Sequence, residues 1–485
     1  MSELVRKAGA LAQGRRDFLK ASAALSAAAA LAPLPSWAQT RGDYAHLPDR
    51  GEFVIRNAYV LTMDEKLGDL PNGDIHVRNG AIVAVGPRLA APGAKVIDGK
   101  TMIALPGLIE THWHMWGTAA RNTAGDEAKM GYFTFAKVVG AIFKPEDNAR
   151  GVRLALAEAI NSGLTTVHNW SHNLVTPEFA DAELQAHRMM GHRALFGYGY
   201  FGIGMQNQTV RVEDLDRVQD RWIKGSEGLL TLGICSRGPE NNSMELCQGE
   251  WDAARKRGLR ISTHVGTALA KVKERQAIKE LAKAGLLGPD VILVHDTNTV
   301  DNDSELLAKT GTHISFSPFT EMRTGFGIPP VAELTKAGVP LSLSVDTTVL
   351  AGNCDMFAIM KAIHNVANGE AKSEFAMPAR WALELATMGG ARALGIADRV
   401  GSLTPGKRAD IILVRTTDVN MAPLTEPAHM IVQSANPSNV DTVMIDGRVL
   451  KRGGKLVGID VARIVREAND TAVRVRAEAE RVNRS

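Results

Sequence analysis

The sequence predicts an α/β protein: a closed (β/α)8 TIM-type barrel with a small composite β-sandwich built from both of its flanks. Three observations carry this. Apolar strand-like runs alternate with helix-length stretches through the middle of the chain, the pattern of β/α units around a parallel sheet. Short β-rich runs separated by Gly, Asn and Pro turns stand before and after that region. Several of the central runs end in His or Asp, and barrels of this kind keep their chemistry at the C-terminal ends of their strands.

The chain is long enough for such a fold. Its 485 residues, 45% hydrophobic and 22% charged, suit a large globular protein with a sizeable core. A formal net charge of +3 without long like-charge runs gives no reason to expect a nucleic-acid partner. Only Cys235, Cys247 and Cys354 are present, an odd number without zinc-knuckle spacing, so histidines must carry any metal.

Residues 1–38 read as an export signal. Arg15-Arg16-Asp17-Phe18-Leu19-Lys20 is a twin-arginine pattern, followed by an Ala/Leu-rich run to Leu31 and by Pro35-Ser36-Trp37-Ala38, a small-x-small cleavage pattern before Gln39. The apolar run is short for a bilayer span. The expectation is export by the twin-arginine (Tat) machinery to the periplasm or beyond, with removal of the segment and no membrane anchor.

The first part of the β-sandwich is expected over 39–104. Its strand-like runs are Phe53 to Leu61, Asp74 to Arg78, Ala81 to Gly86 and Ala94 to Asp98, and Asn79-Gly80 is a strong hairpin signal. The second part, over 399–456, contains Gly401 to Val414 and Val440 to Leu450. His76 reads as an ordinary strand residue.

The barrel is expected over 105–398. Its first strand is Ile103 to His114. Helix Asp147 to Ser162 then leads into Leu164 to His168, Pro177 to Gly191 into Arg193 to Gly199, and Val212 to Lys224 into Leu229 to Ile234. Gly249 to Gly258 precedes Leu259 to His264, and Lys273 to Ala284 precedes Val291 to His295. Asp303 to Thr310 precedes His313 to Ser317, and Val331 to Ala337 precedes Leu341 to Asp346. A charged helix over 457–485 could cap the fold or meet another subunit, which leaves a homo-oligomer open.

The candidate chemistry follows from the strand ends. His112 and His114, with one residue between them on an extended run, point to the same face, as two ligands of one metal ion must. His264, His295 and Asp346 end the fifth, sixth and eighth runs, so a closed barrel brings all five groups to one mouth.

With these residues in place, the chain resembles the amidohydrolase superfamily, in the branch of cytosine deaminase, chlorotriazine hydrolase and guanine or adenosylhomocysteine deaminase. The matching stretches are Pro106 to His114, Ser317-Pro318, Ser344-Val345-Asp346 with Asp355-Met356-Phe357, Ala386-Thr387 before Gly389-Gly390-Ala391, and Gly401 to Asp410. The resemblance implies that His112, His114, His264 and Asp346 hold one divalent metal ion, zinc or else iron, and that His295 polarises the substrate or steadies the attacking water. A divalent ion lowers the pKa of its bound water to near neutrality, Asp346 can take the released proton, and His295 can stabilise charge that exists only in the transition state.

Two departures from that branch matter. Strand four, Leu229 to Arg237, ends without the lysine that would bridge a second metal, so a single ion is expected, and Cys235 reads as a buried free thiol. After His264 the branch usually carries a Glu three residues on, which shuttles protons in deamination, but this chain has Thr267. The main expectation is therefore hydrolysis of an amide or cyclic amide, with Asp346 as the proton carrier. The alternative is deamination of a heterocycle, with Glu321, in Ser317 to Arg323 beyond strand seven, replacing the missing acid. Against that role, Glu321 could instead pair with Arg323. From another class, a retired barrel would bind metal without turnover. Trp113, His168, Trp170, His172 and Phe319 are candidate substrate contacts at the rim, with Asn169, Trp116 and Phe326 beside them. Gly197 to Gly204 reads as a loop after strand three. The zinc-deaminase signature of His-x-Glu with Pro-Cys-x-x-Cys is absent from the sequence.

Overall fold

A computed structural model describes residues 45–127, 131–200 and 208–482. The twin-arginine motif and its cleavage pattern lie outside the described residues, as do Phe201 to Gly204 of the glycine-rich stretch.

The chain enters through β1 (Glu52–Val60), β2 (Leu70–Arg78), β3 (Ala81–Gly86), β4 (Lys95–Asp98) and β5 (Met102–Pro106). Asn79 and Gly80 turn between β2 and β3 with φ of +50° and +83°. That left-handed pair is what an Asn-Gly hairpin supplies at little steric cost. The run expected as one first barrel strand divides at Gly107. Leu105 and Pro106 pair with the flanking sheet, and the barrel begins at β6 (Leu108–Ile109). Close approach is the reason: a Cβ at Gly107 would lie 2.1 Å from the Thr165 side chain, and the Gly107 N–H donates to the Asp410 carbonyl at 2.9 Å.

The barrel continues through β7 (Leu164–Ser171), β8 (Arg193–Tyr198), β9 (Leu230–Ser236), β10 (Arg260–Val265), β11 (Val291–His295), β12 (His313–Phe316) and β13 (Leu341–Leu343), side by side in chain order and parallel. It closes where Thr111 N–H donates to Leu343 O (3.2 Å) and Asp346 N–H to His112 O (2.8 Å). Helices Pro145–Ser162 and Pro177–Met190 each begin with a proline and end on a left-handed glycine, Gly163 and Gly191. The helix expected over Lys273 to Ala284 is two, Leu269–Arg275 and Ala277–Lys283, broken where Gln276 takes a φ of +43°.

After the barrel, β14 (Ile411–Arg415), β15 (Val440–Ile445), β16 (Arg448–Arg452) and β17 (Lys455–Leu456) return to the first sheet, because β14 pairs antiparallel with β5. The two flanks thus form one mixed sheet in the order β17-β16-β15-β14-β5-β1-β2-β3, with β4 on β1. Ile55, Ile75, Ile82, Ile97, Leu403, Leu413 and Met444 are among the residues that make its core. Arg193 at the start of β8 ties this sheet to the barrel: buried, it donates to both oxygens of Asp410 at 2.7 and 3.0 Å.

The charged C-terminal helix, Val461–Val482, lies on the barrel's own helix Pro145–Ser162. Ile464, Ala468 and Val475 are buried, while Thr471 and Arg474 both donate to Asp147. Among the described residues, no helix is long and apolar enough to cross a membrane.

Candidate active site

The site is assembled from the C-terminal ends of four barrel strands. Past β6 the chain stays extended between its neighbours, with Glu110 N–H donating to Thr166 O, Trp113 N–H to His168 O and His114 N–H to Asp346 O. The two-residue period then separates the side chains: His112 and His114 turn to the mouth, and Trp113 turns the other way and is fully buried. Glu110 fastens this segment from beneath. It accepts from the backbone nitrogens of His112 (2.6 Å), His168 (3.2 Å) and Val345 (3.3 Å), and burial raises its pKa to about 8.

His295 and Asp346 hold left-handed backbones with φ of +81° and +63°. Such positions are unfavourable for side chains other than glycine and persist only where surrounding structure imposes them. Here they set the direction in which both groups face.

His112 Nε2 lies 3.2 Å from Asp346 Oδ1 and 3.2 Å from His264 Nε2, and His114 Nε2 lies 3.3 Å from Asp346 Oδ1. One proton on His112 Nε2 can serve only one of its two neighbours. A cation between the four groups satisfies them all, and tetrahedral ligation at zinc–nitrogen distances places ligand atoms about 3.4 Å apart. Two overlapping ligand sets are present, His112, His114 and Asp346, and His112, His264 and His295. Burial, reinforced by neighbouring imidazoles, lowers the pKa of His112 and His264, and burial also lowers that of His114, so all three favour the neutral form a metal requires. His114 Nδ1–H donates to the Trp170 carbonyl at 3.1 Å, which leaves Nε2 as its lone pair. The donor set therefore fits one divalent ion.

His295 is held differently. Its Nδ1–H donates to Glu321 Oε1 at 3.0 Å, leaving Nε2 for the mouth. Burial works against protonation, but the Glu321 hydrogen bond and the Asp346 and Glu321 charges outweigh it and raise the His295 pKa.

These groups border a cavity of about 610 Å³ lined by His114, His264, His295 and Asp346 together with His172, Tyr200, Arg237, Glu240, Thr267, Phe133 and Phe326. Of the expected substrate contacts, His172 is on this wall, where its Nδ1 accepts from Trp116 Nε1 at 3.3 Å. Four others are not. Trp113 is buried beneath the ligands, and His168 is pinned by Nδ1–H to Thr111 O (2.8 Å) with Nε2 3.8 Å from Cys235 Sγ. Trp170 donates to Ser262 Oγ at 2.9 Å and packs its ring against His112, His114 and His264. Phe319 lies on a short helix, Pro318–Arg323, whose turn carries it outward while Glu321 turns inward.

That helix also corrects the role expected of Glu321. Its carboxylate is fully buried behind His295, accepts from Ser317 N (2.7 Å), and is not on the cavity wall. Arg323 does not pair with it and instead donates to the carbonyls of Leu350 and Ala124. The residues not singled out from sequence are Glu110 and Glu240. Glu110 stands two residues before the His-x-His motif, and that position was the available signal. Glu240 has no motif, and only the folded loop brings it to the wall.

The sequence profile of the amidohydrolase family matches residues 103–450, most of the chain. The chain belongs to the amidohydrolase family. This amidohydrolase is 30% identical over 432 residues to a 5'-deoxyadenosine deaminase of Methanosarcina mazei, covering 87% of this chain and 98% of the relative. It is 30% identical over 443 residues to a 5-methylthioadenosine/S-adenosylhomocysteine deaminase of Pelotomaculum thermopropionicum, with 87% and 98% covered. Among solved structures, a zinc-bound adenosine deaminase from Xanthomonas campestris superposes with a TM-score of 0.81 at 26% identity, over 89% of this chain and all of that one. The enzyme is thus a metal-dependent hydrolase acting on carbon–nitrogen bonds.

Proposed function

We propose that this amidohydrolase is an aminohydrolase of an adenosine-like heterocycle, replacing the exocyclic amino group by oxygen and releasing ammonia. The convergence of His264, His295 and Asp346 on one cavity of about 610 Å³ carries the reading, since that volume suits a small-molecule substrate. Near-full-length similarity to deaminases of adenosine analogues supports it. This reading takes up the deaminase alternative and sets aside Glu321 as its acid.

His112, His114, His264 and Asp346 would hold the divalent ion, with zinc preferred and iron the alternative, and His295 stands beside them. When bound, such an ion makes hydroxide available near neutral pH. Asp346 takes the proton that the attacking water gives up and later delivers it to the departing amine. His295, fixed by Glu321, presents Nε2 to the oxygen where charge develops. The cavity walls bind the heterocycle and exclude bulk water.

Amide hydrolysis is the second reading, favoured by Thr267, which cannot carry a proton as a carboxyl does. Metal-loaded protein incubated with adenosine, 5'-deoxyadenosine, 5'-methylthioadenosine, cyclic amides and ureas, and scored separately for ammonia and for ring opening, separates the two. Ammonia with a 6-oxopurine product is the expected result. Ring opening without ammonia from any purine would replace it by the second reading, and bound metal without turnover would leave a retired barrel. The export reading of residues 1–38 is also a proposal: delivery through the twin-arginine machinery to the periplasm or the medium.

A further inference from the structure

Beyond β9 a short loop, residues 237–243, places Arg237, Glu240 and Asn241 on the cavity wall. Arg275 braces it by donating to the carbonyls of Pro239 (2.8 Å) and Asn242 (2.9 Å). Within the loop, Glu240 is only 5% exposed, and its Oε1 accepts from Gly266 N at 2.7 Å. Gly266 lies between His264 and Thr267, at a φ of +70°. A Cβ there would fall 2.5 Å from Asp296 Cα, so only glycine fits this close turn before Thr267. Thr267 and Glu240 line the cavity together with His264, His295 and Asp346. Among the described residues Glu240 has no salt bridge, since nearby Lys271 donates to Asn241 Oδ1 at 2.8 Å. A buried carboxyl without an ionic partner is favoured in its protonated form.

We propose that Glu240, reaching over from the strand-four loop, is a second proton-carrying catalytic residue beside Asp346 and does the work that Thr267 cannot. The inference rests on the deaminase reading. As the water oxygen bonds to the amino-bearing ring carbon, the water gives one proton to Asp346, and the Glu240 carboxyl gives its proton to the adjacent ring nitrogen. The C–N bond then breaks with its electron pair on nitrogen, which takes the proton held by Asp346 and leaves as ammonia. The new hydroxyl returns a proton to the Glu240 carboxylate as it becomes the carbonyl. Both side chains end as they began. Burial raises the Glu240 pKa, with opposition from Gly266 N–H and the charges of Lys271 and His295, which suits a group that must hold a proton before it gives one.

Glu240→Gln is a gentle test, because its amide oxygen can still accept from Gly266 N. In metal-loaded protein the expected effect on ammonia release from the best adenosine analogue is a kcat lower by roughly 10²- to 10⁴-fold, with KM and bound metal little changed. Affinity for an unreactive purine analogue with a tetrahedral carbinol carbon beside a ring N–H should fall as well, and this readout is independent of turnover. Adding Thr267→Glu to Glu240→Gln restores a carboxyl on the same wall and should recover about ten-fold or more of the lost rate. Near-native kcat in Glu240→Gln overturns the assignment, and so does a loss that Thr267→Glu fails to recover. Absence of ammonia release from the native enzyme would instead sink the deaminase reading and Glu240 with it, whereas native turnover with an indifferent Glu240→Gln fails this assignment alone.

Discussion

Glu321 Oε1 lies 3.0 Å from His295 Nδ1 and 2.7 Å from the Ser317 backbone nitrogen, so one buried carboxylate oxygen fixes both the imidazole at the end of β11 and the first turn after β12. The pairing sets which ring nitrogen of His295 carries the proton and where the other one points.

On the proposed reading, Glu321 would act as a positioning residue for His295. Glu321→Gln keeps an acceptor for His295 and should retain much of the activity, whereas Glu321→Ala should lower kcat by about 10²-fold, as loss of an orienting partner does. The check is a split between kcat and KM with metal content measured alongside. Equal rates in the native, Gln and Ala forms would remove the pairing from the reaction.

Metal occupancy should follow the ligand geometry. We expect about one equivalent of divalent ion per chain, lost in His112→Ala because His112 belongs to both candidate ligand sets. Outer-shell partners cost roughly 10- to 100-fold in metal affinity, and the Trp170 carbonyl that orients His114 is such a partner. Elemental analysis after dialysis against a chelator measures this. Two retained equivalents would point to a binuclear centre.

Glu183 offers a dependence on pH away from the metal. Fully buried, it accepts from Asn148, Asn169 and Ser171, yet burial outweighs these bonds and raises its pKa to about 7. The folded state thus holds the Glu183 proton more tightly than the unfolded chain. The stability this gives is fully present below the ordinary carboxylate range and is lost as pH rises through about 7. The cost approaches about 3 kcal/mol at high pH. Glu183→Gln has no such titration. The difference in unfolding free energy between native and variant, by urea titration, should therefore shift in the variant's favour by that order between pH 5 and pH 8. A difference independent of pH would count against the assignment.

Arg193 should matter to stability rather than to chemistry. It is buried, paired with Asp410 through two hydrogen bonds and within 3.4 Å of Asp446. Breaking a buried pair by deleting one partner costs about 3–5 kcal/mol, because the other charge is stranded. Arg193→Ala should lower the unfolding midpoint markedly and leave kcat of the surviving folded fraction near native.

Export has its own test. Replacing Arg15 and Arg16 by Lys should hold the precursor in the cytoplasm, read by fractionation. Undiminished export would mean the pair is not the signal.

Much of this was legible in the linear chain. The alternation of strand and helix set the barrel, since parallel β/α units can bury both faces of a sheet in few ways. His112, His114, His264, His295 and Asp346 each end an apolar run, so their meeting followed once the barrel closed. The division of the first strand at Gly107 was not legible, because it depends on Thr165 pressing where a Cβ would stand.

The sequence alone determined the barrel, the flanking β unit and the five polar groups at one mouth, because strand periodicity and burial are properties of neighbours along the chain. Tertiary structure decided which groups face the cavity. It turned Glu321 behind His295, buried Trp113 and Trp170 under the ligands, sent Phe319 outward and brought Glu240 across to Gly266. Those outcomes depend on helix rotation, left-handed backbone positions and loop closure between segments far apart in sequence, and no local pattern encodes them.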